Sequence, residues 1–348
     1  MINLLAEDID HVLSHTQEVW EDLRGKRLFI TGGTGFFGCW LLESFLWANE
    51  RLGLGAEVTV LTRSPEAFRK KAPRLASNAA VRLLAGDIRS FDFPQGAFSH
   101  IIHAATEAGV KSGDKSLLSE MDTITQGTRR VLDFAVHCGA KKFLLTSSGA
   151  VYGKQPPDVT HVSEDYAGSP NTMDIRSVYG EGKRFSELLC AIYAQEHGIE
   201  TKIARGFAFV GPYLPLDAHF AIGNFIRDGM KGGPIQVSGD GTPYRSYLYA
   251  ADLAIWLWTI LVNGTTCREY NVGSEDSLTI ARLARKVADV LGSGVEVVVA
   301  QQPAPGVPPA RYAPSTQRAR TELGLDCWIG LEESIRRTVA WNKSIHNL

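Results

Sequence analysis

Residues 27–38 read R-L-F-I-T-G-G-T-G-F-F-G, a short apolar run that ends at a threonine, followed by glycines at 32, 35 and 38. The run has the length and composition of a buried strand, and the glycines fall where that strand gives way to a helix. At such a turn unpaired backbone N–H groups face outward and can hold a pyrophosphate. They do so only if no Cβ blocks the turn or the approach of the phosphates. The stretch therefore predicts a dinucleotide loop in which Gly32, Thr34, Gly35, Phe36, Phe37 and Gly38 surround the phosphates. A glycine trio by itself also suits a plain tight turn, so the flanking sequence has to decide.

It decides for the dinucleotide. From Lys26 short apolar runs alternate with helical stretches: R-L-F-I-T, a helix through Leu46, E-V-T-V-L-T, V-R-L-L-A-G-D, H-I-I-H-A-A, a helix through Val136, and K-F-L-L-T-S-S. Runs buried on both faces and separated by helices predict an α/β fold, a Rossmann-type doubly wound parallel sheet. Another helix and the strand T-K-I-A-R follow Tyr179, and glycine and proline then become frequent from Gly211 to Pro243. That shift predicts a smaller mixed α/β C-terminal lobe for substrate. The expected boundaries are 26–208 for the dinucleotide-binding domain, with parts of 245–275 completing its sheet, and 209–244 with 276–348 for the lobe. Within the lobe, Ile280 to Leu291 is expected to be helical and Gln302 to Pro314 a proline-rich loop. Ahead of the first strand Leu5, Ile9, Val12, Leu13, Val19, Trp20 and Leu23 recur at helical spacing, which predicts an amphipathic extension over 1–25 that clasps the core.

The chain's 348 residues exceed what one core usually holds. Its 36 Lys and Arg against 38 Asp and Glu leave a net charge of −2, so neither nucleic acid nor an anionic membrane is expected as a partner. A small molecule is. Cys39, Cys138, Cys190, Cys267 and Cys327 form no CxxC and have no paired histidine, as expected of reduced thiols in a cytoplasmic protein without a metal. The acidic start does not resemble a signal peptide, and no apolar run is long enough to span a bilayer.

The end of the second strand bears on which dinucleotide is bound. Thr62 stands where an acid would accept hydrogen bonds from a ribose 2′-hydroxyl, and Arg63 beside it suits a 2′-phosphate. NADP(H) is thus favoured over NAD, unless Arg63 stacks on adenine or faces solvent. Asp87, with Ile88 after it, closes the third strand and suits either the adenine amine or a helix N-cap.

Tyr179 and Lys183 are four residues apart on a predicted helix, so their side chains share a face. A tyrosine titrates near pH 10, and an ammonium beside it together with an oxidised nicotinamide would favour the phenolate. Lowering it by about three units takes roughly 4 kcal/mol. Ser148, at the end of the serine-tipped strand, would hold the reacting oxygen beside Tyr179. A Tyr-x-x-x-Lys spacing is also common on ordinary amphipathic helices, and one of Ser147 and Ser148 is expected only to satisfy the strand end.

Together T-G-G-T-G-F-F-G, H-A-A at 103–105, S-S-G-A-V-Y-G and Y-G-E-G-K resemble the extended short-chain dehydrogenase/reductases, the NAD-dependent epimerase/dehydratase family acting on nucleotide sugars. The resemblance continues through A-R-G-F-A-F-V-G-P-Y (204–213), G-N-F-I (223–226), G-D-G-T-P-Y-R-S-Y-L-Y-A-A-D-L (239–253) and Y-N-V-G-S (270–274). It implies that Gly32, Gly35 and Gly38 hold the pyrophosphate, Asp87 the adenine, and Ala104, Ala105 and Thr106 the cofactor's flank. Ser148, Tyr179 and Lys183 would run the chemistry, the last two also touching cofactor. Arg245 and Arg311 would grip a nucleoside diphosphate, and Ser148, Gly149, Ala150 and Asn224 would face the sugar. The family also implies a homodimer packed through the helices that contain Thr128 and Tyr179. Three departures stand out: Ile124 and Ala208 where the family usually has Asn, and the Thr62–Arg63 pair.

Residues 149 and 150 bear on the reaction. Water-eliminating relatives resemble one another in an Asp-Glu pair there, and decarboxylating ones keep the Glu, whereas Gly149 and Ala150 transfer no proton. The expectation is therefore hydride exchange at the sugar 4-position, by a 4-ketoreductase or a 4-epimerase. Arg63 favours the reductase, and A-T-E-A-G-V-K (105–111) resembles a segment of sugar 4-epimerases. The alternatives are a 4,6-dehydratase or decarboxylase using an atypical acid, and a non-catalytic NAD(P)-sensing protein.

Overall fold

Length sorts the apolar runs of this chain into strands and helices, and burial aligns the strands. In a computed structural model that describes residues 4–106, 116–218, 220–292 and 294–346, the early strands are β1 (Arg27–Thr31), β2 (Glu57–Thr62), β3 (Val81–Ala85), β4 (His100–His103), β5 (Lys142–Ser148) and β6 (Glu200–Gly206). The later ones are β7 (Phe209–Val210), β8 (Ile235–Val237), β9 (Tyr244–Ser246), β10 (Leu248–Tyr249), β11 (Arg268–Val272), β12 (Ser277–Thr279), β13 (Val297–Val299) and β14 (Arg311–Tyr312). Between them lie α1 (Ala6–His15), α2 (Phe36–Arg51), α3 (Pro65–Lys71), α4 (Pro73–Ala76), α5 (Leu117–Cys138), α6 (Val178–His197), α7 (Ala221–Met230), α8 (Ala250–Asn263), α9 (Ile280–Leu291), α10 (Gln317–Leu323) and α11 (Leu331–His346).

The large sheet has seven parallel strands in the order β3-β2-β1-β4-β5-β6-β11. Its order reverses between β1 and β4, and a crevice opens there at the carboxyl ends of the strands. The fold is the Rossmann type expected. Two helices run past their expected ends, α2 to Arg51 and α5 to Cys138. Gly139, with φ of 72°, stops α5 in the left-handed conformation that a glycine adopts without strain.

Helix α8 is buried from Ala250 to Leu261, apolar but for Asp252 and Thr259. A helix of that kind must be covered on all sides; β5 and β6 cover one face and α1 and α2 others. Trp20, fully buried, packs on Trp258 with ring centroids 5.0 Å apart. Trp258 Nε1 donates to Ser44 Oγ at 2.8 Å. The N-terminal residues are also tied down by polar contacts: Asp8 accepts from Tyr249 Oη at 2.7 Å, and Asp22 meets His100 and Lys142 at 2.8 Å each.

Beyond the large sheet, β12-β9-β14 form a three-stranded sheet and β13 pairs with β8. Val210, Ile222, Phe225, Leu283 and Ile335 are among the buried residues beneath them. The register of β14 on β9 sets Tyr312 beside Arg245. None of the described helices is long and apolar enough to cross a membrane.

Candidate active site

The carboxyl ends of the strands, with β9 and β14, enclose a cleft of about 1280 Å³. Gly32 lines it with φ of 72°, and a Cβ there would lie 2.4 Å from the Ala104 carbonyl carbon. Only glycine fits such a place. Gly35 N–H donates to the Gly32 carbonyl at 3.0 Å and forms the N-cap of α2 without a capping side chain, so the first N–H groups of α2 have no side-chain partner from that cap. Gly38 lies behind this loop, where a Cβ would sit 2.3 Å from Gly33 Cα. It lets the helix close on the loop and does not line the cleft. Backbone rather than side chain thus faces the space beside Gly32 and Gly35, which suits the phosphates of a dinucleotide.

The opposite wall is locked from below by residues the motifs did not flag. Thr31 Oγ1 accepts the Ala105 N–H at 3.2 Å and meets His103 Nδ1 at 2.7 Å, and His103 Nε2 meets Thr128 Oγ1 at 3.0 Å. Burial holds the His103 imidazole down to about 3, so it is neutral and gives one donor and one acceptor. This chain fixes Ala104 and Ala105 against the glycine loop.

Thr34, Phe36, Phe37, Thr62, Arg63, Asp87, Ile88, Ala104, Ala105 and Thr106 all line the cleft. Asp87 caps a turn rather than a helix. Its carboxylate accepts the Arg89 backbone N–H at 2.9 Å, closing a turn, while it still faces the cleft. The Arg89 guanidinium clasps the same carboxylate at 2.8 and 3.0 Å and holds it below the ordinary carboxylate range. Lys71 Nζ donates to the Thr34 carbonyl at 2.8 Å, adding a third cation to a wall that already has Arg63 and Arg89.

At the other end β5 delivers Ser148 and the first turn of α6 delivers Tyr179, whose hydroxyl hydrogen-bonds with Ser148 and Thr106. Lys183 lies one turn further on, buried, with Nζ 5.9 Å from the Tyr179 ring centroid and donating to the Thr146 carbonyl at 2.9 Å. It stands under the floor and does not line the cleft. Burial lowers its ammonium to about 8, against the pull of Glu187. Glu187 is four residues on again, and it accepts from Ser147 Oγ at 2.5 Å and from Arg205 at 3.0 and 2.7 Å. The spacing 179, 183, 187 was the available signal for it.

From the sequence, Lys183 and an oxidised nicotinamide together are expected to favour the phenolate. Within the chain itself burial pushes the Tyr179 phenol above its ordinary value, with the hydrogen bonds from Ser148 and Thr106 pulling back and the Glu120 carboxylate adding to the rise. The ammonium faces the Thr146 carbonyl and Glu187, and a buried phenolate is costly.

The residues expected at the substrate divide. Ser148, Ala150 and Arg245 line the cleft. Gly149 does not: a Cβ there would lie 2.7 Å from the Phe207 ring and 2.9 Å from Tyr312 Oη. Asn224 is also outside, its Oδ1 accepting from Arg227 at 3.2 Å, and the Arg311 guanidinium stacks 4.2 Å over the Tyr244 ring. Phe207 and Tyr312, neither of them a predicted site residue, do line it. Ile124, where the family usually has Asn, fills the gap to α6; a Cβ on Gly182 would meet it at 3.1 Å. Of the A-T-E-A-G-V-K segment, 107–111 lie outside the described residues.

Glu187→Gln removes the charge that keeps Lys183 protonated. The ammonium's value then falls further below about 8, and a group needed in its protonated form is lost at lower pH. The alkaline limb of kcat should move towards neutral pH, with activity at pH 8 reduced more than at pH 6. Parallel pH profiles for the variant and the parent would rule out this positioning role.

Residues 28–273 match the NAD dependent epimerase/dehydratase family. Among curated proteins the chain is 30% identical over 309 residues to UDP-glucuronic acid decarboxylase 6 of Arabidopsis thaliana, covering 89% of this chain and 86% of that one. It is 29% identical over 314 residues to UDP-glucuronic acid decarboxylase 1 of Xenopus tropicalis, covering 90% and 71%. Among solved structures it resembles a dTDP-glucose 4,6-dehydratase of Streptomyces venezuelae with NAD bound, at 25% identity and a TM-score of 0.76, covering 92% and 98%. The UDP-glucose 4-epimerase of Thermotoga maritima shares the fold at 20% identity and a TM-score of 0.76, covering 92% and 99%. With its glycine loop and its Ser148–Tyr179–Lys183 cluster, this chain belongs to the NAD-dependent epimerase/dehydratase family.

Proposed function

We propose that the chain is an NAD(P)-dependent nucleotide-sugar oxidoreductase acting at the sugar 4-position, as a 4-ketoreductase or 4-epimerase, with Tyr179 as acid/base. One observation carries this reading. Among the described residues lining the cleft the sole carboxylate is Asp87, clasped by Arg89 at the end of β3, four strands from Ser148. Elimination of water requires an acid and a base at the ring, and the described lining residues at the Ser148 end offer hydroxyls instead.

The nicotinamide supplies or accepts the hydride. The chain does the rest: Arg245 holds the diphosphate, Ser148 donates to the oxygen on the reacting carbon, and Tyr179 moves its proton. Burial favours the protonated phenol of Tyr179, the form that gives a proton to a forming alcohol in the reducing direction. Lys183 lends a positive charge beneath it. Tyr179→Phe should lower kcat by about 10²-fold or more with sugar-nucleotide affinity little changed. Undiminished turnover would eliminate Tyr179 as the acid/base.

A second reading, decarboxylation of a nucleotide uronate, is favoured by the similarity to UDP-glucuronic acid decarboxylases. Oxidation at C4 makes such a sugar a β-keto acid, which loses carbon dioxide without a carboxylate base. Carbon dioxide release from UDP-glucuronic acid, with no NADPH oxidation on a 4-keto sugar nucleotide, would select it.

For the cofactor, Thr62 with Arg63, Arg89 and Lys71 on one wall supports NADP(H). Arg63→Ala should raise the KM for NADPH about tenfold or more, the loss of roughly one charge-assisted hydrogen-bonding partner, and leave that for NADH in place. Equal effects on both cofactors would remove the assignment.

We further propose a homodimer through α5 and α6. Leu118 at 77% exposure, Phe185 at 47% and Leu188 at 57% leave apolar surface on these two packed helices. Leu188→Glu should convert dimer to monomer in sedimentation; a parent chain that is monomeric at micromolar concentration refutes the dimer.

A further inference from the structure

If the site works as proposed, a sugar nucleotide has its diphosphate at Arg245 and its reacting carbon at Ser148 and Tyr179. The sugar then spans whatever lies between those two points, and Tyr312 lies there. Its backbone pairs in register with Arg245, and the Arg245 guanidinium stands 5.5 Å from its ring centroid. Its hydroxyl extends to the opposite landmark, 3.5 Å from Ser148 Oγ. One side chain therefore runs from the arginine to the reacting serine.

That hydroxyl is poorly satisfied. Among the described residues its hydrogen-bonding contacts, with Ser148 Oγ and the Gly206 carbonyl, are both 3.5 Å long. A well-formed O–H···O bond is about 2.7–2.8 Å, so this half-buried hydroxyl, which lines the cleft, has capacity left for a closer partner. A sugar oxygen would be a better one. Phe207 stacks on the ring with centroids 4.7 Å apart and makes an apolar floor beside it.

Gly149 explains how there is room. A Cβ at 149 would come within 2.9 Å of Tyr312 Oη and 2.7 Å of Phe207, so any larger residue at 149 displaces one of them. The acid missing from this position and the tyrosine present beside it are two sides of one packing arrangement.

We infer that Tyr312 is a substrate-contacting residue of the reaction centre: its hydroxyl donates a hydrogen bond to the sugar beside Ser148, next to the position where Gly149 has no side chain. Burial pushes this phenol up to about 12, so it keeps its proton across the neutral range and serves as a donor rather than a base. The inference rests on the sugar-nucleotide reading of the cleft.

Tyr312→Phe keeps the ring, the Phe207 contact and the Arg245 contact, and deletes only the hydroxyl. Titration of parent and variant with UDP, UDP-glucose, dTDP and dTDP-glucose separates the nucleotide from the sugar. The expected result is unchanged affinity for the bare diphosphate and an affinity for its sugar form reduced by about three- to tenfold, the loss of one hydrogen bond. Turnover on a responsive sugar nucleotide should fall in kcat/KM by at least as much. An equal loss for diphosphate and sugar nucleotide, or no loss for either, overturns the role of Tyr312 and leaves the wider reading standing if Tyr179→Phe is inactive. Failure of the parent chain to bind any of the four overturns the wider reading and this inference with it.

Discussion

Between Gly32 and the carbonyl of Ala104 there is no room for a single methyl group. This close approach joins the first turn after β1 to the end of β4, the two strands between which the sheet order reverses. A larger residue would push the turn away from the strand and misalign both walls of the crevice. The same point is held from beneath by Thr31, His103 and Thr128. Because His103 is neutral, this support involves no buried charge. The phosphate loop, the flank at Ala104 to Thr106, and through Thr106 the Tyr179 hydroxyl are all referred to it.

A second support does involve charge. Buried Lys183 is followed one turn on by half-buried Glu187, which pairs with half-buried Arg205, and Arg205 continues to Tyr152, which reaches Asn271 on β11. A buried ammonium survives only with a partner, and Glu187 provides it while also holding Ser147. The network therefore connects α6, β5, β6 and β11 beneath the reacting hydroxyls. Tyr179 is placed by this framework, yet burial alone leaves it reluctant to ionise, which suits a residue that gives up a proton only when substrate accepts it.

Ser148, Thr106, Tyr179 and Tyr312 bring hydroxyls together at one end of the cleft, and the one carboxylate among the described lining residues is held four strands away. Gly149 and Ala150 contribute small size rather than protons.

The sequence by itself determined the sheet, because alternating apolar runs and helices leave few ways to bury both faces. It also determined the glycine loop and the Tyr179–Lys183 pair, because local spacing fixes which groups share a turn or a helix face. Tertiary structure alone decided the rest. Tyr312 arrives from a two-residue strand 164 positions after Ser148, and only the pairing of β14 with β9 brings it in. Arg311, next to it, points elsewhere because successive side chains on a strand alternate. The direction of the Tyr179 shift likewise depended on burial, a property of everything packed around it, which no spacing of residues along a chain encodes.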